Sequence, residues 1–225
     1  DAPALKIANT RAYGAEVVLY DRATEDRDAI GTKLADERGL ALVKPFDNED
    51  VIAGQGTCGL EIAEQASEAG IGEADVLVPC GGGGLSSGIA LALEALAPRL
   101  RVRPVEPEGF DDVARSLIAG TPRTNARMAG SICDAIVTPA PGQLTFPILQ
   151  RLCGPGIAVP DEDALRAVAA AFVRLGTVLE PGGAVALAAA LYHGEDERDV
   201  IVVASGGNVD PTVFRNALDR LGKTD

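Results

Sequence analysis

Residues 75–96 read Asp-Val-Leu-Val-Pro-Cys, then Gly-Gly-Gly-Gly, then Leu-Ser-Ser-Gly-Ile-Ala-Leu-Ala-Leu-Glu-Ala-Leu. The first part is a short apolar run, the pattern of a buried strand. The last part carries Leu85, Ile89, Leu93 and Leu96 at helical spacing. Between them, Gly81 to Gly84 give up much backbone freedom on folding, which a chain accepts where a side chain would block close approach to the backbone. A strand, a glycine loop and a helix start together make an anion site, because unpaired N–H groups converge there and the helix dipole favours negative charge. The pattern predicts a bound phosphate. A flexible linker is the plainer alternative, but linkers are not flanked so closely by an apolar strand and an apolar helix.

Two nucleotide motifs are tested by this sequence and both fail. Leu85, Ser86 and Ser87 follow the glycines where a P-loop has Lys and Ser or Thr. A second stretch, Gly54-Gln55-Gly56-Thr57-Cys58-Gly59, fits G-x-G-x-x-G. The apolar run before it, Leu40 to Val43, is separated from it by Lys44 to Asp50, whereas the dinucleotide fingerprint needs the glycines directly after a strand. A helix-entry turn is the reading preferred there.

Working outward, 225 residues suffice for one large domain or two small ones. The 47% hydrophobic content supports a sizeable core, and the net charge of −13 argues against nucleic acid and anionic membrane surfaces as partners. No apolar stretch reaches spanning length, and no signal-peptide pattern is visible. Cys58, Cys80, Cys133 and Cys153 are widely spaced without a C-x-x-C, which predicts reduced thiols and a cytoplasmic location. The chain starts at Asp1 and its only methionine is Met128, so the sequence is expected to be a processed chain or part of a longer protein.

In chain order the patterns predict a helix from Pro3 to Ala12, a strand from Glu16 to Tyr20, a charged helix from Thr24 to Arg38 and a strand from Leu40 to Val43. Lys44 to Ala53 reads as a polar crossing between lobes, followed by a helix from Thr57 to Ala69. Beyond the glycine unit come a strand from Leu100 to Val105, a short helix from Val113 to Ala119, a loop from Thr121 to Ser131 and a short strand from Asp134 to Val137. Helices follow over Gln143–Leu152 and over Asp161–Leu175, the latter with Asp161 as cap and Leu165, Val168, Ala169 and Phe172 on one face. An apolar helix runs to Leu191, a buried strand covers Val200 to Ala204, and a last helix covers Pro211 to Leu221. Alternating strands and helices predict an α/β architecture of open, mainly parallel twisted sheets with helices on both faces, in two lobes. The smaller lobe would hold residues 1–50 and the larger, ligand-binding lobe residues 51–225.

Candidate chemistry is sparse. The only histidine, His193, ends a helix, and there is no G-x-S-x-G, so a hydrolytic triad and a zinc site are both improbable on residue content. Glu106, Glu108, Asp111 and Asp112 form an acidic cluster at a strand's C-terminal end, where open α/β sheets gather ligands. It reads either as a solvated loop or as a hard-cation site of carboxylates and a backbone carbonyl around magnesium or calcium. Ser205-Gly206-Gly207-Asn208 closes the last strand; it is either a tight turn or the second end of the ligand held by the four-glycine loop.

Four segments carry a resemblance. Val-Pro-Cys-Gly-Gly-Gly-Gly-Leu (78–85), Glu-Pro-Glu-Gly-Phe-Asp-Asp (106–112), Leu-Glu-Pro-Gly-Gly-Ala (179–184) and Ser-Gly-Gly-Asn-Val-Asp (205–210) resemble the threonine dehydratase and serine racemase family. These are fold-type II enzymes that use pyridoxal 5′-phosphate. The likeness, which includes Asp1 to Tyr20 and Ala53 to Thr57, runs in order over essentially the whole chain. It implies that Gly81, Gly82, Gly83, Gly84 and the Leu85 amide hold the cofactor phosphate and that Ser205 meets the pyridine nitrogen. A serine there leaves the ring a weaker electron sink, which suits rapid β-elimination. It implies a divalent cation, magnesium or another, on Glu106, the Phe110 carbonyl and Asp112. Ala135 stands where some members have a cofactor-lining glycine, and Glu180 either supports the cofactor side or caps the next helix. The implied activity is a threonine or serine ammonia-lyase releasing a 2-keto acid and ammonia, with serine racemase and hydroxyaspartate dehydratase as alternatives. The family's Schiff-base lysine lies in a Phe-Lys-x-Arg-Gly segment that is absent, and Lys6, Lys33, Lys44 and Lys223 lack that context. No catalytic residue is therefore assigned, and the 225-residue chain alone is expected to be inactive. A non-catalytic phosphate-ligand-binding fragment is the alternative of another class. The resemblance further implies a small amino-acid substrate and a homodimer.

Overall fold

A computed structural model describes residues 2–21, 24–194 and 198–220. Four strands form one parallel sheet: β1 (Ala74–Pro79), β2 (Leu100–Pro107), β3 (Ile157–Val159) and β4 (Val200–Val202), in the order β3-β2-β1-β4. β1 is central and pairs with β2 from Ala74↔Leu100 to Pro79↔Val105, and with β4 through Val76↔Ile201. Side chains alternate between faces along a strand. Val76, Val78 and Val102 accordingly point into one core with Ile89 and Leu93, while Leu77, Val105 and Val159 enter another with Val168 and Val185. Both faces are covered, which is why β1 reads as a continuous apolar run rather than an alternating one. Each such fully buried Val or Leu contributes about 1.5–3 kcal/mol relative to exposure.

The helices are α1 (Ala4–Ala12), α2 (Arg27–Arg38), α3 (Glu49–Glu68), α4 (Gly84–Leu96), α5 (Asp112–Ala119), α6 (Thr145–Leu152), α7 (Asp161–Ala170), α8 (Pro181–Tyr192) and α9 (Pro211–Asp219). Helix α2 starts and stops as its sequence dictates. The Asp26 carboxylate accepts from the Asp28 and Ala29 amides at 2.9 and 3.1 Å, and Gly39 closes it at φ +65°.

Helix α3 corrects two expectations. It begins at Glu49, capped by Asn48, whose side chain accepts from the Val51 amide at 3.1 Å. The supposed polar crossing is thus partly its first turn, and Gly54, Gly56 and Gly59 lie mid-helix rather than in an entry turn. Gly56 and Gly59 serve close packing, whereas Gly54 faces open space. A Cβ on Gly59 would lie 2.8 Å from the Ile89 carbonyl oxygen, and one on Gly88 of α4 would lie 2.6 Å from the Gly56 nitrogen. The two backbones meet where side chains would hold them apart.

Other expectations fail for identifiable reasons. Residues 16–20 and 40–43 are not strands, because no neighbouring strand among the described residues supplies a ladder; Leu19 and Val43 are 62% and 74% exposed. Residues 134–136 form a single 3₁₀ turn rather than a strand. The short β3 escaped notice because three residues between glycine, proline and a helix carry no period. Asp161 does not cap α7; its carboxylate instead takes Ser131 Oγ at 2.6 Å and the Ile132 amide at 3.1 Å. Helix α7 passes into a π-turn, Ala171–Leu175, that ends at Gly176 with φ +65°. The wider turn rotates Phe172 off the buried stripe, so that it meets Phe214 edge-on at 5.3 Å and stays 41% exposed. Part of the expected last helix, Leu221, lies outside the described residues.

Candidate functional site

Strand β1 ends at the carboxyl edge of the sheet and turns through Gly81–Gly84 into α4, while β4 delivers Ser205 to the same edge. Gly81, Gly82, Gly83, Gly84, Leu85 and Ser205 line one cavity of about 290 Å³. Gly83 caps α4 at φ +95°, a left-handed conformation that favours glycine. Ser87 is the first residue whose amide is bonded back, to the Gly83 carbonyl at 2.9 Å. Among the described residues, the amides of Gly82 to Ser86 have no protein acceptor. They are the free donors that an N-terminal helix end presents to an anion.

The loop is held from behind. The Gly82 carbonyl accepts from Thr145 Oγ1 at 2.6 Å and from the Gly142 amide at 3.2 Å. Phe46 lies where a Cβ on Gly82 would stand and touches the Gly84 position, so the glycines admit this ring as well as any ligand. Sequence reasoning credited only the ligand. Thr138, another lining residue, has a buried Oγ1 without a hydrogen-bond partner. Arg27 is the one cationic residue lining the cavity among the described residues, and no lysine does. Arg27 was missed because an arginine in the first turn of a charged helix draws no attention in a linear reading.

Lys6, also missed, binds Glu180 Oε2 at 2.6 Å and Asp134 Oδ2 at 3.1 Å. Burial alone would lower its pKa, but these two carboxylates raise it, so it is a firmly held ammonium rather than a nucleophile. Glu180 stands at the N-cap of α8 without a side-chain cap bond; its carboxylate packs on Gly206 instead. Ala135 lines the cavity. His193 ends α8 and pairs with Asp163 at 2.9 Å, away from the cavity.

The acidic cluster divides. Glu106 is fully buried, and its two oxygens accept the Val113 and Ala114 amides at 2.8 and 2.7 Å, at the start of α5. Asp112 is also fully buried; Oδ1 accepts from Asn125 Nδ2 at 2.6 Å, and Oδ2 has no partner. The Phe110 carbonyl receives no hydrogen bond among the described residues. Burial, with the charge of Asp112 beside it, pushes the Glu106 carboxyl well up, and burial pushes Asp112 up to about 7. No set of three or more His, Cys, Asp or Glu side chains among the described residues is arranged to hold a metal. An orphaned carboxylate oxygen, a free carbonyl and an under-neutralised glutamate nonetheless suit a hard cation. All four cysteines are free, and burial pushes the Cys80 thiol well up, so it is an inert core group.

The geometry thus offers an anion cradle facing a hydroxyl. A family model described as pyridoxal-phosphate dependent enzyme matches residues 1–206. The chain belongs to this family. The L-threo-3-hydroxyaspartate ammonia-lyase of Saccharomyces cerevisiae is 40% identical over 234 residues, covering 100% of this chain and 68% of that protein. A threonine deaminase from the organism abbreviated T.th. superposes with a TM-score of 0.84 at 43% identity, covering 91% of this chain and 67% of that one. Maize serine racemase gives a TM-score of 0.85 at 34% identity, with 99% and 68% covered. The chain therefore spans about two thirds of the length of these relatives. Its relatives in this pyridoxal-phosphate family include ammonia-lyases and racemases, and no helix among the described residues is long and apolar enough to cross a membrane.

Proposed function

We propose that this pyridoxal-phosphate enzyme is an ammonia-lyase that eliminates the β-hydroxyl of a small amino acid, giving a 2-keto acid and ammonia. The observation that carries the reading is the meeting of the unpaired Gly82–Ser86 amides with Ser205 across one cavity. The amides of the glycine loop and Leu85 bind the cofactor phosphate at the positive end of α4. Ser205 offers the pyridine nitrogen a neutral hydrogen-bond partner. When bound, pyridoxal phosphate supplies an electron sink for the substrate's α-carbon. Arg27 provides a cation for a substrate carboxylate, and Phe46 shields the loop from water. No lysine among the described residues lines the cavity, so these residues would bind and orient the cofactor without offering a covalent anchor.

The relatives leave threonine, serine and hydroxyaspartate as substrates, with serine racemisation as the second reading. Arg27 favours hydroxyaspartate, whose second carboxylate needs a cation that threonine's methyl does not. Keto-acid release from the three substrates tests this. The 225-residue chain supplied with pyridoxal phosphate is expected to release none. In a protein that also carries the lysine segment, Arg27→Met is expected to cut kcat/KM for hydroxyaspartate roughly 100-fold, about 3 kcal/mol, and for threonine far less. Equal losses on both substrates would return Arg27 to a general role, and interconversion of serine enantiomers without keto acid would establish the racemase. Glu106, the Phe110 carbonyl and Asp112 are proposed to hold a divalent cation that neutralises the buried carboxylates and steadies the start of α5. Protein binding of a phosphate ligand with no turnover in any form would leave the non-catalytic alternative.

A further inference from the structure

Helix α1 sends Lys6 across to two carboxylates that flank the cavity from different elements. Asp134 sits in the 3₁₀ turn that lines it, and Glu180 heads α8. The Lys6 and Glu180 side chains are 26% and 11% exposed, so this pair is largely removed from water. Glu180 meets the β4 loop twice. Its amide donates to the Gly206 carbonyl at 2.9 Å, and its carboxylate occupies the space a Gly206 Cβ would need. Gly183 of the same helix start is equally close, a Cβ there meeting the Gly206 carbonyl oxygen at 2.5 Å. The residue next to this contact is Ser205.

We infer that Lys6 is a positioning residue: its ammonium holds the Glu180 carboxylate against Gly206 and so fixes Ser205 at the ring end of the cavity. The inference rests on the cofactor reading given above. Its physics is simple. One ammonium stands between two carboxylates, and without it they repel each other while Glu180 remains nearly buried and unpaired. Glu180 then turns toward water, and the space beside Gly206 empties. The Ser205 loop keeps its backbone contacts at Gly206 but loses the side-chain contact that helps set its distance from the glycine loop. The phosphate end does not depend on this contact, because Gly82 is held by Thr145 and Gly142.

The test compares two probes on the 225-residue chain. Inorganic phosphate reads the glycine loop alone. 4′-Deoxypyridoxine 5′-phosphate adds the ring but has no aldehyde, so it cannot react with any lysine. Lys6→Met and Glu180→Gln are expected to weaken the ring probe about 10-fold while phosphate stays within about 2-fold, and Lys6→Arg is expected to restore the ring probe. Ring-probe affinity unchanged in both variants overturns the inference. A parallel loss of both probes also overturns it, since that marks a general structural role. Wild type that binds neither probe sinks the cofactor reading itself, a different outcome. If Lys6→Met fails to fold, Glu180→Gln, which keeps volume and a hydrogen-bond acceptor for Lys6, carries the same comparison.

Discussion

Replacing Gly88 by valine is expected to unfold the protein or to lower its stability by more than about 4 kcal/mol, a large part of the roughly 5–15 kcal/mol of a typical domain. The new Cβ would fall onto the Ile52 carbonyl oxygen and 2.6 Å from the Gly56 nitrogen. Both obstacles are helix backbone, which cannot rotate aside as a side chain can, so α3 and α4 must separate. That separation opens the core around Ala63, Ala66, Ile89 and Leu93 and displaces the helix whose first turn presents the glycine-loop amides. Urea unfolding followed by circular dichroism measures it, with loss of phosphate binding as the second readout. Gly54→Ala provides the contrast. Its Cβ would meet nothing within 4 Å, so ordinary helix propensity governs and the change is expected to stabilise by about 0.5–1 kcal/mol. A tolerated Gly88→Val, or a damaging Gly54→Ala, would contradict this account of the two glycines.

The second large effect concerns pH. Asp112 titrates at about 7 in the folded chain against 3.8 for the free side chain, chiefly because it is buried. Between these values the unfolded chain has lost the proton and the folded chain has kept it. Stability therefore falls as pH rises from about 4 to about 7, and the penalty is fully present above that; three pKa units correspond to on the order of 4 kcal/mol. Glu106 is shifted in the same direction and adds to the trend. Unfolding midpoints in chelator at pH 5 and pH 8 measure this, and Asp112→Asn, which keeps the shape and removes the charge, is expected to flatten the dependence. The general repulsion of a chain with net charge −13 remains in that variant, so the difference isolates the buried group. Magnesium, calcium or manganese added at pH 8 is expected to recover the lost stability and at pH 5, where the carboxylates hold protons, to do nothing. No recovery with any of the three would leave Glu106 and Asp112 as a structural pair and remove the cation from the proposal.

Much of the glycine-loop side of the cavity was legible because its signals are local. The β1 run, the four glycines and the apolar spacing of α4 sit within 22 consecutive residues, and each reports a physical demand of its own place: burial on both sheet faces, close approach to the backbone, one packed helix face. The Ser205 loop was legible for the same reason. The G-x-G-x-x-G of α3 was misread because Gly56 and Gly59 serve a partner helix, and no pattern within α3 names that partner. Residues 16–20 and 40–43 have the composition of strands, but a strand exists only through its neighbour, and among the described residues none stands beside them.

By itself, then, the sequence determined a parallel α/β unit with a glycine loop at its carboxyl edge, because period, turn chemistry and the entropy cost of glycine act over a few adjacent residues. Tertiary structure alone decided the roles of the charges. Lys6 meets Asp134 across 128 residues of chain, and Glu106 turns from a surface acid into a buried acceptor for the first amides of α5. Whether a carboxylate is solvated, paired or stranded depends on what the fold packs around it, since burial and the nearest opposite charge, not the residue's neighbours in sequence, set the energy of an ion.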